Sequence, residues 1–331
     1  MEAYIDHLWT CNDLKGAFEK ILKTPASSDL KTLSTRVAHQ LNRFINFQTI
    51  ERSKDVNDVH YNLGNRFYEK LLGSTMQYSC GYWDQNSENE KDNSLTQSQL
   101  QKMDLVARKL KLTPECRVLD IGCGFGTLAK HLSGHCKQVV GITLSENQHM
   151  WATETFKDEI RSGKLSFILS DYRTLPSVLG KFDRVVSVGF LEHVGVHNLS
   201  TLSKIIDFHL KPDGIVCLHT IGKEQNSHET SQFIRKYIFP GGQLPTQKDI
   251  YTNFLPQFRM EDWHNFGKDY SKTLDAWLNN FSGIHFDDIK SERIWELYLT
   301  SCSAAFSVRK LQLWQIILTK KTSTIEYRSV R

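Results

Sequence analysis

Arg117-Val-Leu-Asp-Ile-Gly-Cys-Gly-Phe-Gly126 is an apolar strand that runs into three glycines at alternate positions, Gly122, Gly124 and Gly126. A helix-like segment, Thr127 to Ser133, follows. A strand ending in a glycine turn at a helix N-terminus lets a flat or charged ligand approach backbone that side chains would otherwise block. Gly-x-Gly-x-Gly is not the Gly-x-Gly-x-x-Gly of a dinucleotide site. Asp120, just ahead of the first glycine, would repel a diphosphate and suits a cation, such as the sulfonium amino acid of S-adenosylmethionine (SAM). A tight strand-to-helix turn with no ligand is the alternative.

Outward from this stretch, strand-like segments at 117–121, 138–142, 165–169, 182–188 and 214–219 alternate with helical ones at 127–134, 146–160 and 198–209. The alternation predicts an α/β fold: a Rossmann-like, mostly parallel sheet with right-handed crossovers. Ligands in such sheets sit at the carboxyl ends of the strands. Residues 120–126, Thr143 to Gln148, Ser170-Asp171-Tyr172 and Phe190 to Gly195 are therefore expected to converge. Residues 223–290 break the alternation and read as an inserted lid or substrate-binding segment. Ala304 to Val308 and Leu311 to Thr319 read as two strands joined by Arg309-Lys310, a closing antiparallel hairpin.

Upstream, residues 1–56 read as a short helical segment, with Leu30, Leu33, Val37, Leu41 and Phe44 at helical spacing. Val59 to Tyr68 and Met76 to Trp83 are dense in aromatics, and a loop this aromatic is suited to lining a pocket. Residues 85–98 read as a polar connector, and Gln99 to Leu112 as a helix. The 331 residues carry a net charge of +4, which does not argue for nucleic acid but is compatible with an anionic membrane surface. Seven cysteines without Cys-x-x-Cys pairing favour free thiols in a reducing, cytoplasmic compartment over disulfides or a zinc site. The first residues show no signal peptide, and no apolar run is long enough to span a bilayer.

The glycine stretch resembles motif I of SAM-dependent methyltransferases. Further segments narrow the resemblance: Tyr78-Ser-Cys-Gly-Tyr-Trp83, Thr143-Leu-Ser-Glu-Asn-Gln148, Asp171-Tyr-Arg173, Leu191-Glu-His-Val-Gly195, Leu218-His-Thr-Ile-Gly222, Tyr237-Ile-Phe-Pro-Gly-Gly242, Asp262-Trp-His-Asn-Phe-Gly267, Tyr298-Leu-Thr-Ser-Cys302 and Leu313-Trp-Gln315. In series, from about 57 to 320, they resemble the cyclopropane-fatty-acyl-phospholipid synthase family, which includes the mycolic acid cyclopropane synthases. Residues 321–331 follow as a tail.

The resemblance implies methyl transfer from SAM to a cis double bond of an unsaturated phospholipid acyl chain. An alkene is a weak nucleophile and calls for a sulfonium electrophile. The carbocation it leaves calls for a dry, aromatic environment. A base must then take a proton from the new methyl group to close the ring. In this family the base is a bound bicarbonate, and its cradle maps onto Cys80, Glu192, His219, Ile221 and Tyr298. His219 and Tyr298 would donate to the anion, Glu192 would accept its O–H, and Cys80 and Ile221 would contribute backbone groups. Cys302 matches the position sometimes treated as a catalytic cysteine, although methyl transfer to an alkene needs no covalent enzyme intermediate. For the cofactor, Tyr78 and Ser79 would meet the methionine end, with Asp120, Gly122 and Gly124 beside it. Thr143 and Gln148 would hold the ribose region, and Asp171 and Tyr172 the adenine.

The resemblance also implies contact with a membrane surface and a homodimer. Only roughly 55 residues precede the first family motif, fewer than many members acting on bilayers carry, which leaves a soluble acyl carrier open as substrate. A methyl- or methylene-branched lipid product stays open too. A small-molecule N-methyltransferase of the coclaurine type shares the core pattern but needs no anion cradle. A non-catalytic SAM- or lipid-binding module would carry damaged chemistry residues, and none is found.

Overall fold

The computed structural model describes residues 1–24, 64–84, 94–224, 231–286 and 288–331. The expected helix through Leu30 to Phe44 lies outside them. The strands are β1 (Arg117–Ile121), β2 (Gln138–Thr143), β3 (Leu165–Leu169), β4 (Phe182–Val188), β5 (Leu210–Gly222), β6 (Phe258–Asn265) and β7 (Gln312–Lys320). They form one sheet in the order β3-β2-β1-β4-β5-β7-β6. β1 to β5 are mutually parallel, with Asp120 opposite Gly141 on one side and Val186 on the other. The parallel core strands are nearly continuous apolar runs, as a sheet covered on both faces requires. Val118, Leu119 and Ile121 are fully buried.

The antiparallel part is built differently from the expected hairpin. β7 lies between β5 and β6 and is antiparallel to both. Residues 304–307 are the end of a helix, Ile289–Ser307, not a strand. Trp295, Leu299, Ser303, Ala304 and Phe306 bury one side of it. A short run of small and apolar residues has no periodicity of its own, and the register set upstream in the helix decides its state. The second antiparallel strand comes instead from residues 258–265, inside the segment 223–290.

The expected helix over 146–160 divides at Phe156 into Glu146–Thr155 and Lys157–Arg161. The helix before β1 begins earlier than Gln99. It spans Leu95–Lys109, and the Ser94 side chain caps it by accepting from the Gln97 amide. A third apolar cluster lies beyond the sheet, where helices Asn65–Leu72, Gly267–Phe281 and Ile289–Ser307 pack together with the aromatics of residues 76–82. Helix Leu14–Lys23 lies on Ile289–Ser307, with Lys15 Nζ 2.6 Å from Asp275. The site described next sits between this cluster and the carboxyl edge of the sheet.

Candidate active site

The β1 turn is built for close approach. Gly122 has φ +80°, and a Cβ there would stand 2.5 Å from the Phe190 ring. The Gly122 and Cys123 amides both donate to the Ile142 carbonyl, tying the turn to the end of β2. Gly126, at φ +78°, caps helix Thr127–Ser133.

Around this turn lies a cavity. Of the residues singled out from the sequence, Tyr78, Ser79, Asp120, Gly122, Gly124, Thr143, Gln148 and Tyr172 line it. The Thr143 hydroxyl donates to Gln148 Oε1 at 3.1 Å, and the Gln148 amide nitrogen would lie 3.8 Å from a Cβ at Gly124. Asp171 is not in the lining. Arg173 grips its carboxylate through Nε at 2.8 Å and Nη2 at 2.6 Å, and it is the neighbouring Tyr172 and Arg173 that face the cavity. Asp120 is almost fully buried, and its Oδ2 has no hydrogen-bond partner. Burial pushes its pKa up to about 7, against the opposing pull of Lys102.

A second group of residues lies at the end of β5. His219 and Ile221 are two apart on this strand, so their side chains share a face. The Ile221 amide donates to Glu192 Oε1 at 2.5 Å, and Glu192 Oε2 is buried with no partner. Burial raises the Glu192 carboxyl to about 7 despite that hydrogen bond. Gln315 on β7, directly opposite His219, places its amide nitrogen 3.2 Å from His219 Nδ1. With Gln315 donating, the proton belongs on Nε2, which is buried and unpartnered. Burial and the cations Lys102 and Lys109 hold His219 well below the ordinary imidazole range, so it is neutral. Two unpaired groups of complementary kind, a carboxyl oxygen and an imidazole N–H, therefore stand at one strand end.

Tyr78 links the two groups: its ring is in the cavity wall and its hydroxyl donates to the Tyr298 hydroxyl at 3.1 Å. Cys80 follows two residues on, fully buried, and its thiol is pushed well above its ordinary range by burial and by Asp269. Tyr270 marks where these residues meet. Burial raises its hydroxyl well above the usual value, and Tyr298, Cys80, Glu192 and Cys302 all add to that rise. Phe239, from residues 231–242, packs against Tyr78, His193 and Tyr298 at ring-centroid distances of 6.3, 5.3 and 5.9 Å. The turn that carries it is fastened to the site, since the Gln243 amide donates to the Glu192 carbonyl at 3.0 Å. Cys302 is half-buried beside this aromatic cluster, and desolvation pushes its thiol up to about 12. That shift favours the thiol over the thiolate and lends no support to a nucleophilic role.

Gln77, Phe190 and His193, from stretches expected at the site, line the cavity as well. Sequence reasoning passed over two further residues. Tyr270 sits in a helix with no motif of its own, and Lys102 was hidden among the apolar positions of its helix.

Over most of its length the chain is similar to known proteins. Residues 48–316 match the family model described as mycolic acid cyclopropane synthetase. The cyclopropane-fatty-acyl-phospholipid synthase of Escherichia coli (strain K12) is 39% identical over 328 residues, which is 96% of this chain and 82% of that protein. The methoxy mycolic acid synthase MmaA3 of Mycobacterium tuberculosis is 30% identical, over 82% of this chain and 98% of that one. The solved cyclopropane synthase MmaA2 of Mycobacterium tuberculosis superposes with a TM-score of 0.73 at 27% identity, covering 81% of this chain and 98% of its own. A coclaurine N-methyltransferase superposes at 0.75, over 96% of this chain and 98% of its own, but at 18% identity it shares the fold alone.

The raised pKa of Glu192 sets a stability test. The folded state holds the Glu192 proton up to about pH 7, whereas an ordinary glutamate loses it near 4.3. The folded protein thus binds more protons than the unfolded chain across that window, and stability falls as pH rises through it. Glu192→Gln removes this penalty. At pH 8 the ligand-free variant is expected to be more stable than wild type by about 1–3 kcal/mol, with the difference vanishing near pH 4. Thermal or urea unfolding at both pH values checks it, and equal stability at pH 8 contradicts it.

Proposed function

Because the chain belongs to the mycolic acid cyclopropane synthetase family, we propose that it transfers the methyl group of SAM to the cis double bond of a phospholipid acyl chain and closes a cyclopropane ring. The observation that carries the reading is that three of the unpaired buried polar atoms gather at the carboxyl edge of the sheet, Asp120 Oδ2 in the cavity and Glu192 Oε2 with His219 Nε2 beyond it. Buried polar groups are normally satisfied, so unpaired ones facing a cavity and a neighbouring cradle call for ligands.

The residues fit SAM. Asp120 faces its cationic amino-acid end, Gly122 and Gly124 leave room for its backbone-like part, and Thr143, Gln148 and Tyr172 take the nucleoside. They also fit a small oxyanion with a proton to donate, with His219 Nε2–H and the Tyr298 hydroxyl as donors and Glu192 Oε2 as acceptor. Bicarbonate, the group the family implies there, supplies a general base when bound. Acting as methyl acceptor, the alkene uses its π pair to form the new C–C bond while the C–S bond breaks and S-adenosylhomocysteine (SAH) leaves. A carbocation is then met by the faces of Tyr78, Phe239 and Tyr298, each worth roughly 0.5–2 kcal/mol. Phe239 and its turn, part of the segment 223–290 read as a lid, also keep water from the cation. Loss of one proton from the new methyl group lets its C–H electron pair close the ring.

The test is the mass of fatty acids after incubation of the protein with SAM and vesicles of cis-unsaturated phospholipid. Addition of one CH2 with loss of the alkene is the expected result. A gain of two further hydrogens makes the product a saturated methyl branch, and methylation of an added amine with untouched lipid overturns the reading.

Contact with the bilayer surface is part of the same proposal. What supports it is the exposure of Leu8 (76%) and Trp9 (40%). They lie on an N-terminal segment that Lys236 and Tyr237, just ahead of Phe239, hold through Glu2. Leu8→Ser/Trp9→Ser is expected to lower the rate on vesicles several-fold while leaving SAH affinity unchanged. An unchanged rate on vesicles contradicts this docking.

A further inference from the structure

Lys102 lies in helix Leu95–Lys109 with no exposed surface. An ammonium in such a place costs several kcal/mol unless it is met by acceptors and by charge. Its Nζ donates to Gln77 Oε1 at 2.5 Å and to Ser79 Oγ at 2.7 Å. The same side of the helix makes two more contacts with the extended run that follows Gln77. Gln99 Nε2 donates to the Ser79 carbonyl at 2.8 Å, and the Ser98 carbonyl accepts from the Tyr82 amide at 2.8 Å. The helix thus holds, almost residue by residue, the strip that carries Tyr78 and Ser79 in the cofactor cavity and Cys80 in the anion cradle.

Charge makes the placement more specific. Lys102 and the Asp120 carboxylate stabilise each other's ionised forms across the protein interior. The other titratable groups that this pair feels are Cys80 beside Lys102, Cys123 beyond Asp120, and His219 on β5. Burial outweighs that attraction, leaving Lys102 lowered to about 7 and Asp120 raised to about 7. A methionine would fill the same space without that desolvation. A lysine here makes physical sense if its charge is used.

We propose that Lys102 is a positioning residue for methyl transfer: held on Gln77 and Ser79, it ties the strip from Gln77 to Cys80 to the helix and, from behind Ser79, favours the Asp120 carboxylate that receives the cationic end of the cofactor. One buried cation thereby sets the cofactor wall and the anion cradle together. The inference rests on the cofactor reading given above, and its test separates the two.

The test is calorimetric titration of SAH into wild-type protein, Lys102→Met and Lys102→Gln between pH 6 and 9. Wild-type affinity is expected to weaken as pH falls through about 7, where Asp120 takes up a proton. Without the neighbouring cation, Asp120 holds its proton to higher pH, so the acid limb moves to higher pH. Binding then weakens several-fold at pH 7 and recovers towards pH 9. Lys102→Gln keeps a donor for Ser79 and is expected to show the same displacement with a smaller overall loss. It also carries the test if Lys102→Met does not fold. Loss by one constant factor at every pH means a purely structural lysine and overturns the proposal, as does unchanged affinity. Wild-type protein that binds no SAH overturns the cofactor reading itself.

Discussion

The hydrogen bond from the Ile221 amide to Glu192 is the contact on which the arrangement of this site depends. A buried carboxylate survives in a protein only where donors meet it, and Glu192 meets one through Oε1 while Oε2 stays open. The bond joins two crossovers of the sheet: the short helix Leu191–Val194 after β4 and the end of β5. It therefore fixes where the open oxygen points relative to His219, two residues back along β5. Gln315 completes the frame from the antiparallel side, which is why β7 has to lie next to β5 and not at the edge of the sheet.

Much of the framework was legible because it follows from short-range rules. The β1 glycines, the apolar strands and the amphipathic crossovers each carry their own periodicity, and β1 to β4 fall within a residue of their expected limits. What was not legible depends on distance along the chain. Residues 258–265 become a strand because β7, some fifty residues later, offers its free edge. Residues 304–307 stay helical because Trp295 and Leu299 have already set which side is buried.

The site shows the same division. Asp120, Gly122 and Gly124 announce themselves by spacing, whereas Glu192 and His219 were singled out only through the resemblance to a family. Asp171 looked like a ligand contact from its position after β3, but Arg173, two residues on, occupies it. Lys102 gave no signal, since a lysine among apolar helix positions ordinarily reaches for solvent. Only the tertiary contacts with Gln77 and Ser79 reveal that it points inward. Asp120, Glu192 and Lys102 are all held where burial opposes their charge, so the fold gives up stability at the point where it binds ligands.

The central claim is that the open atoms at the carboxyl edge of the sheet are ligand contacts. A high-resolution structure of the protein crystallised with SAH and bicarbonate tests it most directly. The account predicts the amino-acid end against Asp120 beside Gly122 and Gly124, the nucleoside along Thr143, Gln148 and Tyr172, and a planar three-oxygen anion touching both Glu192 Oε2 and His219 Nε2. A cradle closed by protein side chains or holding only water, with SAH bound in the cavity, would contradict it.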